Sequence, residues 1–427
     1  MTNNKIRTDG GAAMLIAVIF FLFATMTIIL GVASPVLKQA AVSKNIITSK
    51  GSYYSAESSV EDILYRLKNG KQVSATESLS LNGGTVITDV TDTGNGKKLV
   101  SNGVISSLNR KVQTIVSFGT GVAFFYGVQA GQGGFDLQNS SSIVGNVYSG
   151  GPITGSGNII YGDVVSSGPS GIIDGIHATG TAYSHTIQNS TIDKDAHYVT
   201  KTSTTVGGVS YPNSPDLPDA PLPISDAQIS TWESDATTGG TATCSGGTYT
   251  ISSSRSIGPI KIPCDLSISG NTTLTLNGAV WVTGNITVQN SVIIKVSPSF
   301  GNKSVMMIAD NPSNRSSSSK ISLQNSSSFQ NSGTAGSFVL MIAMNNSGEN
   351  GGGTAAIENA NSAGGAVVLY APHGLITLQN SINVKEVTAY RITLQNSAQV
   401  KYDTGLPSSL FDSGPGGGYT ITDWREI

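Results

Sequence analysis

Three histidines, His177, His185 and His197, fall close together beside Asp163, Asp174, Asp193 and Asp195. Imidazole and carboxylate both bind metals, but these spacings match no familiar ligand pattern, and neither cysteine belongs to a CxxC pair. We therefore expect no metal and no cofactor. His373, in APHGLIT, reads as a turn residue. Glycoside hydrolysis needs two carboxyl groups about 5–10 Å apart in space, and Asp and Glu are sparse in the repeated segments described below. No nucleophile elbow, P-loop or dinucleotide fingerprint is present. The expectation is a chain that is not an enzyme.

Cys244 and Cys264 remain. In an oxidising compartment, a bridge closing a loop of about twenty residues would stabilise the fold by roughly 3 kcal/mol. The alternative is a pair of buried thiols; the disulfide is expected if the segment is exported.

The most regular pattern in the chain is polar. Gln-Asn-Ser recurs in FDLQNSSSI, HTIQNSTI, ITVQNSVIIK, ISLQNSSSF, ITLQNSINVK and ITLQNSAQVK, and again at Gln330. In the fifth copy Ile376, Leu378, Asn380, Ile382 and Val384 alternate, so an uninterrupted strand would place them on one face. A buried unpaired amide costs about 1–3 kcal/mol, and stacking each Asn on the next at about 4.8 Å removes that penalty. The expected ladder is Asn139, Asn290, Asn325, Asn380 and Asn396. If the chain bends at Asn-Ser instead, Asn takes the left-handed conformation at a corner. Either arrangement predicts a β-solenoid.

These repeats follow a very different beginning. Residues 12–33 carry no charge and are apolar around the whole circumference; as a helix they span about 33 Å, enough to cross a bilayer core of about 30 Å. A signal peptide cut after Gly31-Val32-Ala33 is the alternative, although the run exceeds an ordinary h-region. The helix pattern continues through SAESSVEDILYRL, where Ala56, Val60, Ile63, Leu64 and Leu67 form an apolar stripe and Asp62 and Arg66 sit one turn apart. Asn69-Gly70 should end it.

The leader MTNNKIRTDGG, the AAMLIAVIFFLF core and SAESSVEDILYRL together resemble the N-terminal region of PilX-type type IV pilus-assembly proteins and related minor pilins. The resemblance covers about seventy residues and implies cleavage between Gly11 and Ala12 by a prepilin peptidase, methylation of the new terminus, and packing of the helix among other pilin-like subunits. The fifth mature residue would be Ile16, where major pilins carry Glu, which implies a minor or tip subunit. The β region, with GNVYSGG, VWVTGNI and ITLQNS, resembles solenoid domains attached to PilX-like helices and, more distantly, the bactofilin β-helix; no activity follows from this.

The expected organisation is a leader (1–11), a transmembrane and amphipathic helix (12–72), a small antiparallel sheet (73–120), a first solenoid part (121–205), a Pro-rich linker (206–239) and a second solenoid part (240–427). YTITDWREI should be a strand capping its open end. The fold class is thus mainly β behind one N-terminal helix. Charged residues make up 12% of the chain and net charge is −2, so nucleic acid is not an expected partner. The expected location is the cell surface or a pilus, with a single membrane pass and the C-terminal domain outside. The function expected is a structural, adhesive subunit of a pilus-like filament. The rivals are a membrane-anchored β-helix that binds or cleaves surface glycans, and a bactofilin-like polymerising scaffold.

Overall fold

The computed structural model describes residues 10–68, 73–81, 83–93, 96–118, 124–403, 406, 410–411 and 419–427. The leader up to residue 9, the Asn69-Gly70 cap, the 94–95 turn and the Gly-rich 412–418 run lie outside them. The protein is mainly β, with one long N-terminal helix, and divides into two compact units: residues 1–67, 71–117 and 421–427, and essentially the remainder.

In the first unit, α1 runs Gly10–Lys68. Four strands follow it: β1 (Thr76–Leu81), β2 (Gly84–Asp92), β3 (Gly96–Ile105) and β4 (Leu108–Phe118). They pair antiparallel in chain order. The C-terminal half of α1 buries Ala56, Val60, Ile63 and Leu67, and the sheet buries Val86, Leu99, Val112 and Val116. Period-four spacing on the helix and period-two spacing on the strands produce these matching faces. Leu64, the fifth member of the expected stripe, is half-buried. The contact is close: a Cβ on Gly103 would lie 2.2 Å from the carbonyl oxygen of Ser52. Some polar groups in this unit's core are paired, Ser59 to Thr88 at 2.8 Å and Thr88 to Ser101 at 2.9 Å, while the buried Ser55 and Thr114 hydroxyls have no partner.

The expectation for YTITDWREI is corrected here. Its strand, Tyr419–Glu426, is the fifth of this antiparallel sheet, beside β4, and caps no other element. Ile427 N–H donates to Lys111 O, and Arg110 pairs with Glu426 at 2.8 Å. Alternating apolar residues identify a strand but not its neighbour.

The second unit is built of short strands paired in parallel with strands one turn away in the chain. One series runs from Thr248–Ile251 through Asp265–Ser269, Ile286–Gln289, Ile321–Leu323 and Ala355–Asn359 to Val367–Gln379 and Glu386–Gln395. Glu386–Gln395 then pairs with Val128–Leu137, far earlier in the chain. Rungs continue from there through Ile172–Ala178, Ala182–Gln188 and Ala196–Thr202 to Ser210–Pro212. The two β stretches on either side of the Pro-rich run therefore share one stack and one apolar core, with the N-terminal stretch seated on the end of the C-terminal one. The stretches do not form separate bodies, because the open edge of 386–395 is completed by the strand at 128–137 rather than by solvent or a cap.

This order leaves the chain at one end of the stack after Pro212 and requires it at the other end by Thr248. The Pro-rich run makes the return along the outside as a strap. Its anchors climb the rungs in reverse: Ser214 reaches His197, Asp216 reaches His185, Leu217 O accepts from Gly168 N–H, Pro218 O accepts from Tyr148, and Pro221 O accepts from Gln129. Four rung steps separate the His197 and Gln129 levels, about 19 Å at ordinary strand spacing. Seven residues in an extended polyproline conformation cover about 22 Å. Proline suits the role because the strap joins no ladder and needs few N–H donors.

The strap ends in α2, Asp226–Thr237, N-capped by Ser225, whose hydroxyl accepts from Gln228 N–H. Its buried residues Ile229, Trp232, Glu233 and Ala236 recur at helical spacing. They cover the outer faces of Lys303–Ala309, Val339–Ala343 and Val367–Gln379, where Met306, Ile308, Leu340, Ile342, Val368 and Tyr370 form a second apolar cluster. These strands are buried on both faces, so their sequences VMMIA, VLMIA and VVLYA are continuously apolar.

Candidate functional site

Five of the Gln-Asn-Ser copies turn a corner on a left-handed Asn-Ser pair; the copy at Gln330 does not. Asn290, Asn325, Asn380, Asn396 and Asn139 have φ between 46° and 65°, and the following serines are near 60°. Two successive left-handed residues are unusual outside glycine. Backbone pairing offsets the strain: Ser291 N–H donates to Asn325 O, Ser326 to Asn361, Ser381 to Asn396 and Ser397 to Asn139, at 2.8–3.1 Å.

The side-chain amides stack in the same order. Asn325 Nδ2 donates to Asn290 Oδ1 (3.1 Å), Asn361 to Asn325 (3.4 Å), Asn380 to Asn361 (2.9 Å), Asn396 to Asn380 (3.2 Å) and Asn139 to Asn396 (3.1 Å). The ladder thus joins all five expected residues and crosses the junction between the two β stretches. It sits at an exposed corner, not on the apolar side. The left-handed pair swings the chain around, and the apolar sequence resumes at Val292, Ile382 and Ala398, all buried. The sixth member, Asn361, lies in IENANS rather than a Gln-Asn-Ser copy; the Asn-Ser dipeptide alone was its signal.

Outside the corner, an open groove follows the ladder from Gly270 and Asn271 to Asn380 and Ser381. Its lining is amide, hydroxyl and backbone, without a charged side chain. After the ladder bonds are made, each asparagine retains one N–H and one lone pair, and each serine a hydroxyl, facing outward. Beside the corner, Thr377 and Thr393 pair by register, and Gln395 Nε2 donates to Gln379 Oε1 at 2.9 Å. The corner itself is a neutral, regularly spaced set of donors and acceptors, while the row beside it is flanked by Glu358 and Asp136.

The other corners are capped differently. At one, Asp163 and Asp195 accept from the backbone N–H of Thr181 and Val209 one rung on, and at another Asp265 accepts from that of Asn285. Of the carboxylates near the histidines, Asp163 and Asp195 are thus occupied with rung caps, and Asp174 accepts from the side-chain amides of Gln188 and Asn189. His177 pairs with Asp193 at 3.0 Å and His185 with Asp216 at 3.1 Å, while His197 stacks between Tyr183 and Tyr211 at 4.4 Å from each. Burial holds the His197 ring below its usual pKa. Among the described residues no three His, Cys, Asp or Glu side chains are grouped to hold a metal. His373, expected in a turn, lies in the Val367–Gln379 strand and bridges Glu349 (2.6 Å) and Asp226 (3.1 Å).

Cys244 and Cys264 are joined in a disulfide at the first rungs of the stack. Gly11 and Ala12 lie within the backbone of α1. From Met14 to Leu37 that helix exposes its apolar side chains, at 72% and 69% for those two residues, and it is long and apolar enough to cross a membrane once.

No protein-family model matches the chain, and no curated protein matches it. Among solved structures it has a likeness to the competence-associated pilin ComZ from Thermus thermophilus, with 10% identity and a TM-score of 0.34 over 89% of this chain and 97% of that one. A second is an ice-binding protein from an Antarctic bacterium, Flavobacteriaceae, with 10% identity and a TM-score of 0.13 over 65% and 81%. Neither score defines a shared fold.

Proposed function

We propose that the chain is a pilin-like structural subunit, a minor or tip component of a type IV pilus-like filament or its assembly machinery, and that it displays its parallel stack outward as a β-solenoid. One observation carries this reading. A single helix is apolar and uncovered over its first half, and packed against its own antiparallel sheet over its second. An uncovered apolar helix of that length calls for lipid or for the helices of neighbouring subunits. The leader with its Gly11-Ala12 junction supplies a route from one to the other: the helix waits in the bilayer, a prepilin peptidase cuts, and the helix joins a filament. PilX is the type whose N-terminal residues this chain resembles, and the reading assigns no catalysis.

Intact mass spectrometry of the mature protein, with and without prepilin peptidase, tests it. A chain beginning at methylated Ala12 is expected. A start at Ser34 would mean a secreted protein without its helix and would end the pilin reading; an uncut chain would leave a membrane-anchored surface protein.

The neutral groove supports a second reading, a membrane-anchored solenoid that binds surface glycans. Amides and hydroxyls without charge suit a polyhydroxylated chain better than a phosphate polymer. Binding to a panel of neutral polysaccharides, with charge introduced by Ser326→Asp and Ser381→Asp as the comparison, distinguishes this from a purely structural corner.

A further inference from the structure

Glu233 is the exception on the buried face of α2, whose other inward residues are Ile229, Trp232 and Ala236. The residue is 7% exposed and its carboxyl meets that of Asp310, itself fully buried, while Oε1 of Glu233 has no partner. Asp310 is already matched: Arg315 grips both its oxygens at 2.8 and 2.6 Å. The remaining charge facing this pair is Lys261, whose ammonium lies over the Trp281 ring at 4.1 Å. One cation therefore answers one anion, and a second anion has no counterpart in contact. At the start of α2, Asp226 bonds His373, which also bonds Glu349.

We propose that α2 is a pH-sensitive latch, seated on the apolar outer face of the stack while the Glu233 carboxyl keeps its proton and released from that face as the carboxylate forms. Burial first, and the neighbouring Asp310 second, push Glu233 up to about 8. The sign follows from linkage. A seated Glu233 stays protonated up to about pH 8, whereas a released one ionises near the usual carboxylate value of about 4.5, so seating is strongest below about 4.5 and weakens by up to about tenfold per pH unit until about 8. Release would uncover Met306, Ile308, Leu340, Ile342 and Val368. The Pro-rich strap on one side of the helix and the disulfide-braced first rung on the other keep it nearby, so the motion is reversible.

Hydrogen exchange of the full chain in detergent micelles, from pH 5 to 9 and corrected for intrinsic exchange, reads the latch directly. Protection of residues 226–237 should fall with pH while that of 305–309, in the stack beneath, stays constant. In Glu233→Gln the fall should disappear, since the isosteric amide never ionises. His373→Gln, which removes the bridge to Asp226 and Glu349, should lower protection across the whole range and leave the slope. A flat wild-type profile overturns the proposal. So does a slope that survives Glu233→Gln or vanishes in His373→Gln.

Discussion

Asn359 is fully buried in a column of aliphatic side chains, with Leu323 and Leu378 as its register partners, and neither its Nδ2 nor its Oδ1 has a hydrogen-bond partner. An unpaired buried amide costs about 1–3 kcal/mol, and leucine both removes it and restores the column. We expect Asn359→Leu to raise the thermal midpoint in differential scanning calorimetry; a lower midpoint would show that the amide has a use the column does not reveal. The residue was legible once rungs are aligned, because IENANS sets Asn where ITLQNS sets Leu. The exposed asparagines were legible as a ladder from their spacing. Their side of the strand was not, since alternation counts residues and cannot see a left-handed pair that turns the chain between the fourth and seventh.

Two elements show what pattern reveals and what it withholds. The C-terminal half of α1 carries its stripe openly, yet its closeness to β3 depends on Gly103, which looks like any glycine in a strand. Adding a methyl there pushes against the Ser52 carbonyl of the helix backbone, and overpacking of this kind costs about 1–3 kcal/mol. Gly103→Ala should therefore lower the protection of residues 52–67 in hydrogen exchange and leave the stack unchanged; undiminished protection would mean that the helix shifts at no cost. The cover formed by α2 had a sequence signal that alternation-based reading passes over. VMMIA, VLMIA and VVLYA are apolar at every position, and a strand of that composition needs a layer on both sides. The Pro-rich run begins inside the last rung, Ser210–Pro212, and holds no strand from there to α2, and proline content says nothing of whether a segment spans solvent or follows a surface.

At the scale of the molecule, the order of rungs in space departs from the order of residues. Strand signals are local, and no local signal says that 128–137 completes the edge left by 386–395. The order can be tested by removal. A chain lacking residues 124–212 loses only the terminal rungs and should keep the stretch 248–401 resistant to limited proteolysis. A chain lacking 240–403 deprives the remaining rungs of the edge on which they stand, and 128–212 should be digested. Equal resistance of both would mean that the two stretches stack independently.

The same arrangement has a mechanical consequence. Tyr402 donates to the carbonyl of Phe124 at 2.5 Å, and the chain's last strand in the stack, Leu410–Phe411, pairs with Lys303–Ala309, so the chain enters and leaves the stack in the interior of the series and not at either extremity. A tug transmitted along the polypeptide reaches the stack through two interior attachments and is borne by the rungs between them. The rungs to either side carry little of that load, and the hydrogen bonds of the ladders are spared the shear that a pull on a terminal coil would bring.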